Sequence, residues 1–356
     1  MDTREVRWGE ELDREKIEKY LKRNVPDYPG PPLTIRQFGA GHSNLTYELT
    51  SGQWEAVLRR PPKGPVAKKA HDMEREYKVL DAVHPFFPLA PEPLDVEDGK
   101  LLGHEFFMME RKHGIVYDTN WPAQVTPSVD LAQNISREMV DRLAELHSID
   151  YMKTPIKDIV KPEGFMRRQV EGWIRRFDAA HTPDSVEAIE LKRWLSDQIP
   201  EEGESTIIHY DYKLNNAMFS EQQPDRMTAL FDWEMTTVGD PLADLGVAMS
   251  YWMEPSDPEG LKYGLGDPPL TTAEGFYTRR EFMERYAEKS GRDLRHMDFY
   301  LAFAYFKLAG IVQQIYYRYQ QGQTDDPRFR HMNEFVNRLI RQASAQAGLE
   351  TSNKGE

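Results

Sequence analysis

The stretch Ile207-Ile208-His209-Tyr210-Asp211-Tyr212-Lys213-Leu214-Asn215-Asn216-Ala217-Met218-Phe219, followed by Leu230-Phe231-Asp232-Trp233-Glu234, decides how the chain is read. It reads as a short apolar strand, a polar loop, a second short strand and a third apolar strand ending in an acid. The loop holds an Asp with an Asn five positions later. Moving a phosphoryl group onto a hydroxyl uses such a set. One carboxylate orients and deprotonates the acceptor, while an amide oxygen and a second carboxylate hold magnesium against the phosphates. On this reading Asp211 is the catalytic candidate, and Asn216 and Asp232 are the metal-ligand candidates. Lys213 would balance charge on the transferred group or simply be exposed. Pairs of Asp often only cap and turn the chain; the strand–loop–strand setting and the placed Asn favour catalysis.

His209-x-Asp211-x-x-x-x-Asn216 resembles the catalytic loop of the aminoglycoside phosphotransferase family, relatives of the protein kinases. Asp232-Trp233-Glu234 stands where that family has its second magnesium ligand, and Gly239-Asp240-Pro241-Leu242-Ala243-Asp244-Leu245 resembles its Gly-Asp-Pro-x-x-Asp-Leu segment. The resemblance runs from about Phe38 to about Trp252 and more loosely beyond. It implies an α+β, bilobal protein-kinase-like fold: a small lobe with an antiparallel sheet plus helix, and a large, mainly helical lobe. It also implies ATP (GTP possible) and Mg2+. His209 would support the loop by hydrogen bonds. Tyr210 departs from the pattern, which usually has Gly there. Ser43-Asn44-Leu45-Thr46-Tyr47, Val57-Leu58-Arg59-Arg60-Pro61-Pro62 and Asp211-Tyr212-Lys213-Leu214 look closer to the branch linked to acyl-CoA dehydrogenases. That implies a hydroxylated acyl compound as small-molecule hydroxyl acceptor, beside an aminoglycoside-like one.

Composition bounds the rest. A chain of 356 residues, 39% hydrophobic, can build a sizeable core in about two domains or one bilobal unit. The formal net charge of −14 argues against nonspecific nucleic-acid binding. It would suit a cationic acceptor, although a solubilising surface explains it as well. There is no Cys, hence no disulfide framework or thiolate metal site. No apolar run approaches a membrane span. The start Met1-Asp2-Thr3-Arg4-Glu5 is charged with no apolar stretch behind it, so no signal peptide is expected and the reading is cytoplasmic, without a membrane partner. Nothing in the sequence sets the oligomeric state.

The nucleotide-binding lobe is expected over 1–111. Residues 10–23 carry apolar positions at helical spacing, and residues 33–60 alternate as three strands. Between the first two strands, Gly39, Gly41, Ser43 and Asn44 form a glycine loop whose backbone could approach phosphates; a plain turn is the other reading. On the third strand the phosphate-binding base aligns with Arg59 instead of Lys, and Lys63, Lys68 and Lys69 are less well placed. A helix from Ala67 to Val83 would supply the Glu that pairs with it, Glu76, with Glu74 as fallback. A hairpin of Leu94–Glu97 and Leu101–Met109 leads to a hinge at Glu110, where backbone groups would meet adenine.

The catalytic and acceptor-binding lobe is expected over 112–346, with a polar tail at 347–356. Helical spacing marks Ala132 to His147 and two helices within 162–198, the region expected to make acceptor contacts. His147 is given no role. Glu234 is a secondary support, and helix capping is sufficient for Asp240 and Asp244. The Pro- and Gly-rich loop 254–273 is either a lid or passive. The aromatic stripe Tyr300–Tyr319 reads as core before pocket. Two rival functions stay open: a metal-dependent phosphohydrolase using His209, Asp211 and Asp232, and a nucleotide-binding scaffold without turnover, supported by Arg59 and Tyr210.

Overall fold

The computed structural model describes residues 3–39, 44–62, 72–324 and 326–349. The chain divides into two units. The first takes the residues up to Gly114 together with Thr154–Ile156 and Thr228–Met235; the second takes Ile115–Lys153, Lys157–Met227 and the chain from Thr236 onward.

In the first unit the strands are β1 (Thr3–Arg4), β2 (Thr34–Phe38), β3 (Leu45–Ser51), β4 (Trp54–Arg60), β5 (Pro93–Glu97) and β6 (Phe106–Met109), in the sheet order β1-β2-β3-β4-β6-β5. All pairs are antiparallel. Along β3 the period-2 pattern holds residue by residue: Leu45, Tyr47 and Leu49 are buried, while Thr46, Glu48 and Thr50 are half-buried. Helix α1 (Arg14–Asn24) covers this face with Ile17 and Leu21. It starts later than residue 10 because the Asp13 side chain accepts the Lys16 N–H at 3.1 Å and caps it there. Helix α2 (Met73–Val83) is likewise capped by Asp72; residues 63–71, where the expected helix began, lie outside the described residues. The segment Thr228–Met235 joins this unit by local contacts. The Leu230 N–H donates to the Leu89 carbonyl at 2.8 Å, and the Trp233 ring meets Phe87 edge-on at 6.0 Å.

The second unit is mostly helical. Its elements are β7 (Ile115–Val116), α3 (Val129–His147), α4 (Phe165–Ala179), α5 (Ile189–Asp197), β8 (Thr206–Ile208), β9 (Ala217–Phe219), β11 (Thr237–Gly239), α6 (Pro241–Tyr251), α7 (Glu259–Lys262), α8 (Arg279–Ser290), α9 (Met297–Gln320) and α10 (Met332–Gln346); β10 (Met227–Leu230) starts at its edge. Strand β8 pairs antiparallel with β11, and β7 with β9. Helix α9 is the centre, with every residue from 301 to 310 buried, as expected for a helix that is apolar all round. The aromatic stripe is therefore core over Phe303, Tyr305 and Phe306. Helices α6 and α9 approach so closely at Gly246 that a Cβ there would lie 2.7 Å from the Tyr300 carbonyl oxygen, so only glycine fits.

Loop 254–273 is tied at both ends. Arg279 makes a bidentate pair with Asp257 at 2.6 and 2.7 Å and donates to the Trp252 carbonyl, while the Leu270 N–H donates to the Asp118 carbonyl at 2.7 Å. Among the described residues no helix is long and apolar enough to cross a membrane.

Candidate active site

The 209–216 loop leaves β8, passes through a single turn of 3-10 helix at Leu214–Asn216 and enters β9. The two short strands hold its ends, so its side chains are fixed by local bonds. Asp211 Oδ2 accepts from Lys213 Nζ at 2.9 Å and from Asn216 Nδ2 at 3.1 Å; Asn216 Nδ2 also donates to the Asp211 carbonyl at 2.9 Å. The amide nitrogen of Asn216 thus faces the carboxylate, and its oxygen is the end left to meet a cation. Asp211, Lys213 and Asn216 are all half-buried, accessible to a ligand yet partly screened from water. The Lys213 ammonium also lies 5.0 Å from the centre of the Tyr251 ring. His209 is fully buried, and its Nδ1 accepts the Asp211 N–H at 3.3 Å. It shapes the loop from below.

The residue that fixes the loop most firmly, Asp244, reads in the sequence only as a helix cap. Asp240 does cap α6, accepting the Leu242 N–H at 2.9 Å. Asp244 does something else. It is fully buried; Oδ2 accepts the His209 N–H at 2.7 Å, and Oδ1 accepts the Tyr210 N–H at 2.8 Å. Its Oδ2 also lies 3.1 Å from His147 Nε2, whose ring is held on the other side by the Tyr286 hydroxyl at 2.7 Å. Burial works to raise the Asp244 pKa, but His147, His209 and the Tyr210 N–H outweigh it and hold it below the ordinary value. His147 therefore has a structural role after all, as the partner of the buried anchor. No local pattern marks it, because its partner lies far along the chain, 97 residues away.

The first unit gathers a second charged cluster. Arg59, at the end of β4, donates from Nη1 to Glu76 Oε1 at 2.5 Å, and its Nη2 lies 3.5 Å from Asp232 Oδ1 and 4.0 Å from Glu234 Oε2. Glu76, not Glu74, is the partner; Glu74 pairs with Lys78 at the surface. Glu234 accepts from Asn44 Nδ2 at 3.2 Å, and its carbonyl accepts from Arg75. Three carboxylates thus surround the Arg59 guanidinium. Among the described residues three buried polar atoms in the cluster have no hydrogen-bond partner: Arg59 Nε, Glu76 Oε2 and Asp232 Oδ1. Buried groups are normally satisfied, so these atoms are where a ligand or water could bind. Asp232 also holds a left-handed backbone, φ 71°, a strained state for a residue with a side chain.

Burial raises the Glu76 pKa to about 7, with Arg59 lowering it and Asp232 and Glu234 adding to the rise. The folded value lies above the unfolded one. Stability from this group is therefore fully present below the unfolded carboxylate pKa and lost as pH rises through about 7. Glu76→Gln should remove that part of the slope, so the variant gains on the wild type between pH 5 and pH 8 in urea denaturation. A parallel pH profile for the two proteins would contradict the assignment.

The chain as a whole is similar to known proteins. The profile of the phosphotransferase enzyme family, APH, matches residues 34–300. The chain belongs to this family. The acyl-CoA dehydrogenase family member 11 of Gallus gallus is 34% identical over 361 residues, spanning 99% of this chain and 45% of that protein. The chain thus spans less than half the length of the curated relative. A Ralstonia eutropha protein described as a candidate aminoglycoside phosphotransferase is 29% identical, with a TM-score of 0.79 and coverage of 95% of this chain and 99% of that one. A thermostable mutant of the aminoglycoside phosphotransferase APH(4)-Ia, solved as a ternary complex with AMP-PNP and hygromycin B, is 15% identical with a TM-score of 0.57, covering 94% and 100%; at that identity it shows the fold alone. The fold is α+β and protein-kinase-like, and the chain is a member of the APH phosphotransferase enzyme family.

The family's two departures in this chain now have physical content. Tyr210 sits at φ 66°, the left-handed region where glycine is free and a side chain is strained, which is why Gly is the usual residue there. Arg59 replaces the strand Lys, yet it reaches Glu76 as a Lys would. Burial works against its charge, and Glu76, Asp232 and Glu234 outweigh that and raise its pKa.

The remaining nucleotide candidates are less constrained. At Gly39 an added Cβ would meet nothing within 4 Å, so packing does not demand glycine there. Gly41 and Ser43, like Lys63, Lys68 and Lys69, lie outside the described residues. The Glu110 N–H is engaged by the Glu92 carbonyl at 2.9 Å, and its side chain accepts the Glu92 N–H at 2.8 Å. That N–H is therefore not open to adenine.

Asp232 and Asn216 each carry an oxygen donor, the ligand type that magnesium takes from proteins. Among the described residues no three His, Asp or Glu side chains converge on a metal position, so a dinuclear hydrolase centre has no donor set among them.

Proposed function

We propose that this chain transfers the γ-phosphoryl group of ATP, with magnesium, to the hydroxyl of a small hydroxylated acyl compound. The observation that carries the reading is Asp211 Oδ2, held by Lys213 and Asn216 at 2.9 and 3.1 Å. Both donors bind one oxygen, which leaves Oδ1 to face an acceptor hydroxyl.

Asp211 accepts the acceptor's proton as the new oxygen–phosphorus bond forms and the bond to the β-phosphate oxygen breaks; ADP leaves, and the proton passes to solvent. Lys213 keeps the carboxylate aimed and places positive charge beside the transferred group. Arg59, fixed by Glu76, faces the nucleotide phosphates as a forked donor. Asn216 and Asp232 would hold magnesium, which supplies charge neutralisation on the phosphates. The protein's contribution is mainly positioning and electrostatics.

The acyl acceptor is supported by the Ser43–Tyr47, Val57–Pro62 and Asp211–Leu214 segments and by the acyl-CoA dehydrogenase relative. An aminoglycoside is the second candidate, since the Ralstonia eutropha protein is described as a candidate aminoglycoside phosphotransferase; it is tested beside the first.

Thermal unfolding with millimolar ATP or GTP, with and without magnesium, tests the nucleotide half. ATP with magnesium should raise Tm through linkage, since binding adds RT ln(1 + [L]/Kd) to the unfolding free energy. Asp232→Ala should remove the magnesium-dependent part of the shift. No shift with either nucleotide would overturn the proposal. A shift without turnover of hydroxyacyl compounds, aminoglycosides or water would favour a nucleotide-binding scaffold.

A further inference from the structure

Lys307 is a charged side chain in the most buried part of the second unit. It lies on α9, 4% exposed, inside the run 301–310 where every residue is buried. A buried ammonium is costly unless paired, and the phosphoryl-transfer scheme does not use this one. Its partner is not a carboxylate. Nζ donates to the Tyr210 carbonyl at 2.9 Å and sits 3.6 Å from the centre of the same residue's ring.

Both contacts fall on the one strained residue of the 209–216 loop. Tyr210 holds φ 66°, a conformation that a side chain resists and glycine does not. Its N–H is taken by Asp244 on α6, and its carbonyl and ring are taken by Lys307 on α9. The ring is further held by Phe165, edge-on at 5.6 Å. If Tyr210 relaxed to negative φ, the peptide joining it to Asp211 would turn. The carbonyl would leave Lys307, and the Asp211 N–H would leave His209. Asp211 would then lose its place between Lys213 and Asn216.

We infer that Lys307 is a positioning residue: it clamps Tyr210 in the left-handed conformation through its carbonyl and ring, and so sets the direction of the Asp211 carboxylate. The inference rests on the reading of Asp211 as the acceptor-side base. Burial lowers the Lys307 pKa to about 8, with Asp211 and Asp244 working to raise it and Lys213 and Arg176 to lower it. The clamp therefore carries its charge at neutral pH.

The test compares Lys307→Met in two backgrounds, wild type and Tyr210→Gly, since glycine takes φ 66° without a clamp. The readouts are magnesium-dependent ATP hydrolysis, with water as acceptor, and hydrogen exchange of peptides covering 207–219. In the wild-type background Lys307→Met should lower kcat about tenfold while the KM for MgATP stays within about twofold, and loop exchange should quicken about tenfold. In the Tyr210→Gly background the same change should cost less than about threefold in both readouts. Equal losses in the two backgrounds, or no loss in either, would overturn the clamp. A core lysine with a merely structural role would lower Tm without this coupling. Lys307→Gln, which keeps a donor for the carbonyl and gives up the charge, should fall between wild type and Lys307→Met; if Lys307→Met does not fold, the same comparison is made with it. Failure of the phosphotransferase reading shows separately, as wild-type protein that neither binds nor hydrolyses MgATP, and the exchange comparison still judges the clamp.

Discussion

Asp211→Ala is expected to lower kcat by roughly 10²–10⁴-fold, the range for loss of a positioned general base, and to leave MgATP affinity within about twofold. The split follows from where the side chain's bonds go. Asp211 is held by Lys213 and Asn216, from the same loop, while the cluster proposed to meet the phosphates is Arg59, Glu76 and Asp232. Removing the carboxylate takes away the proton acceptor and frees Lys213 Nζ from its 2.9 Å partner. Asp211→Asn is the sharper control. It keeps shape and one acceptor oxygen but cannot take a proton, so its kcat should fall nearly as far. Steady-state kinetics with MgATP, using water or any acceptor found by screening, reads both. Turnover within tenfold of wild type in either variant would remove Asp211 from the mechanism, and loss of nucleotide binding would mean it serves the donor side.

Asp244→Asn should cost about 3 kcal/mol of unfolding free energy or more, measured by urea denaturation at pH 7. Asp244 is fully buried and serves two backbone N–H groups and His147 at once. An amide presents one oxygen and one NH2, so one of those N–H groups would face another donor. The His209–Tyr210 backbone would then be anchored at one point instead of two, and kcat should fall as well. The pH dependence gives a second reading. The folded pKa of Asp244 is depressed below the unfolded carboxylate value, so its contribution is present above that value and is lost as pH falls through the folded one. The variant should therefore lose less stability than the wild type below about pH 4. A cost below about 1 kcal/mol would show that Asp244 does no more than cap its helix.

The individual elements and the candidate loop were legible because their signals are local, and the architecture because that loop resembles a known family. His209-x-Asp211-x-x-x-x-Asn216 needs one loop between two short strands, and the apolar residues on either side mark those strands. The alternation in β3 and the helical spacing in α3 and α4 are likewise carried by neighbouring residues. Glu76 was chosen over Glu74 on resemblance, and the buried pair with Arg59 agrees.

Long-range burial was not legible. Asp244 and His147 are 97 residues apart, and Lys307 and Tyr210 are also 97 apart. In sequence Asp244 looks like a helix cap, and Lys307 is a single charge in the apolar stretch from Phe299 to Tyr317. Charge and spacing alone do not say whether such a group is solvated or buried, because that depends on which helices surround it. In the sequence, the family resemblance implied the α+β kinase-like architecture, and side chains close together in the chain marked the candidate acid, amide and lysine of the 209–216 loop. Only the tertiary structure decided what holds that loop in place. Asp244 from α6 and Lys307 from α9 converge on one strained residue, Tyr210, and a strained backbone persists only where packing from distant segments over-determines it.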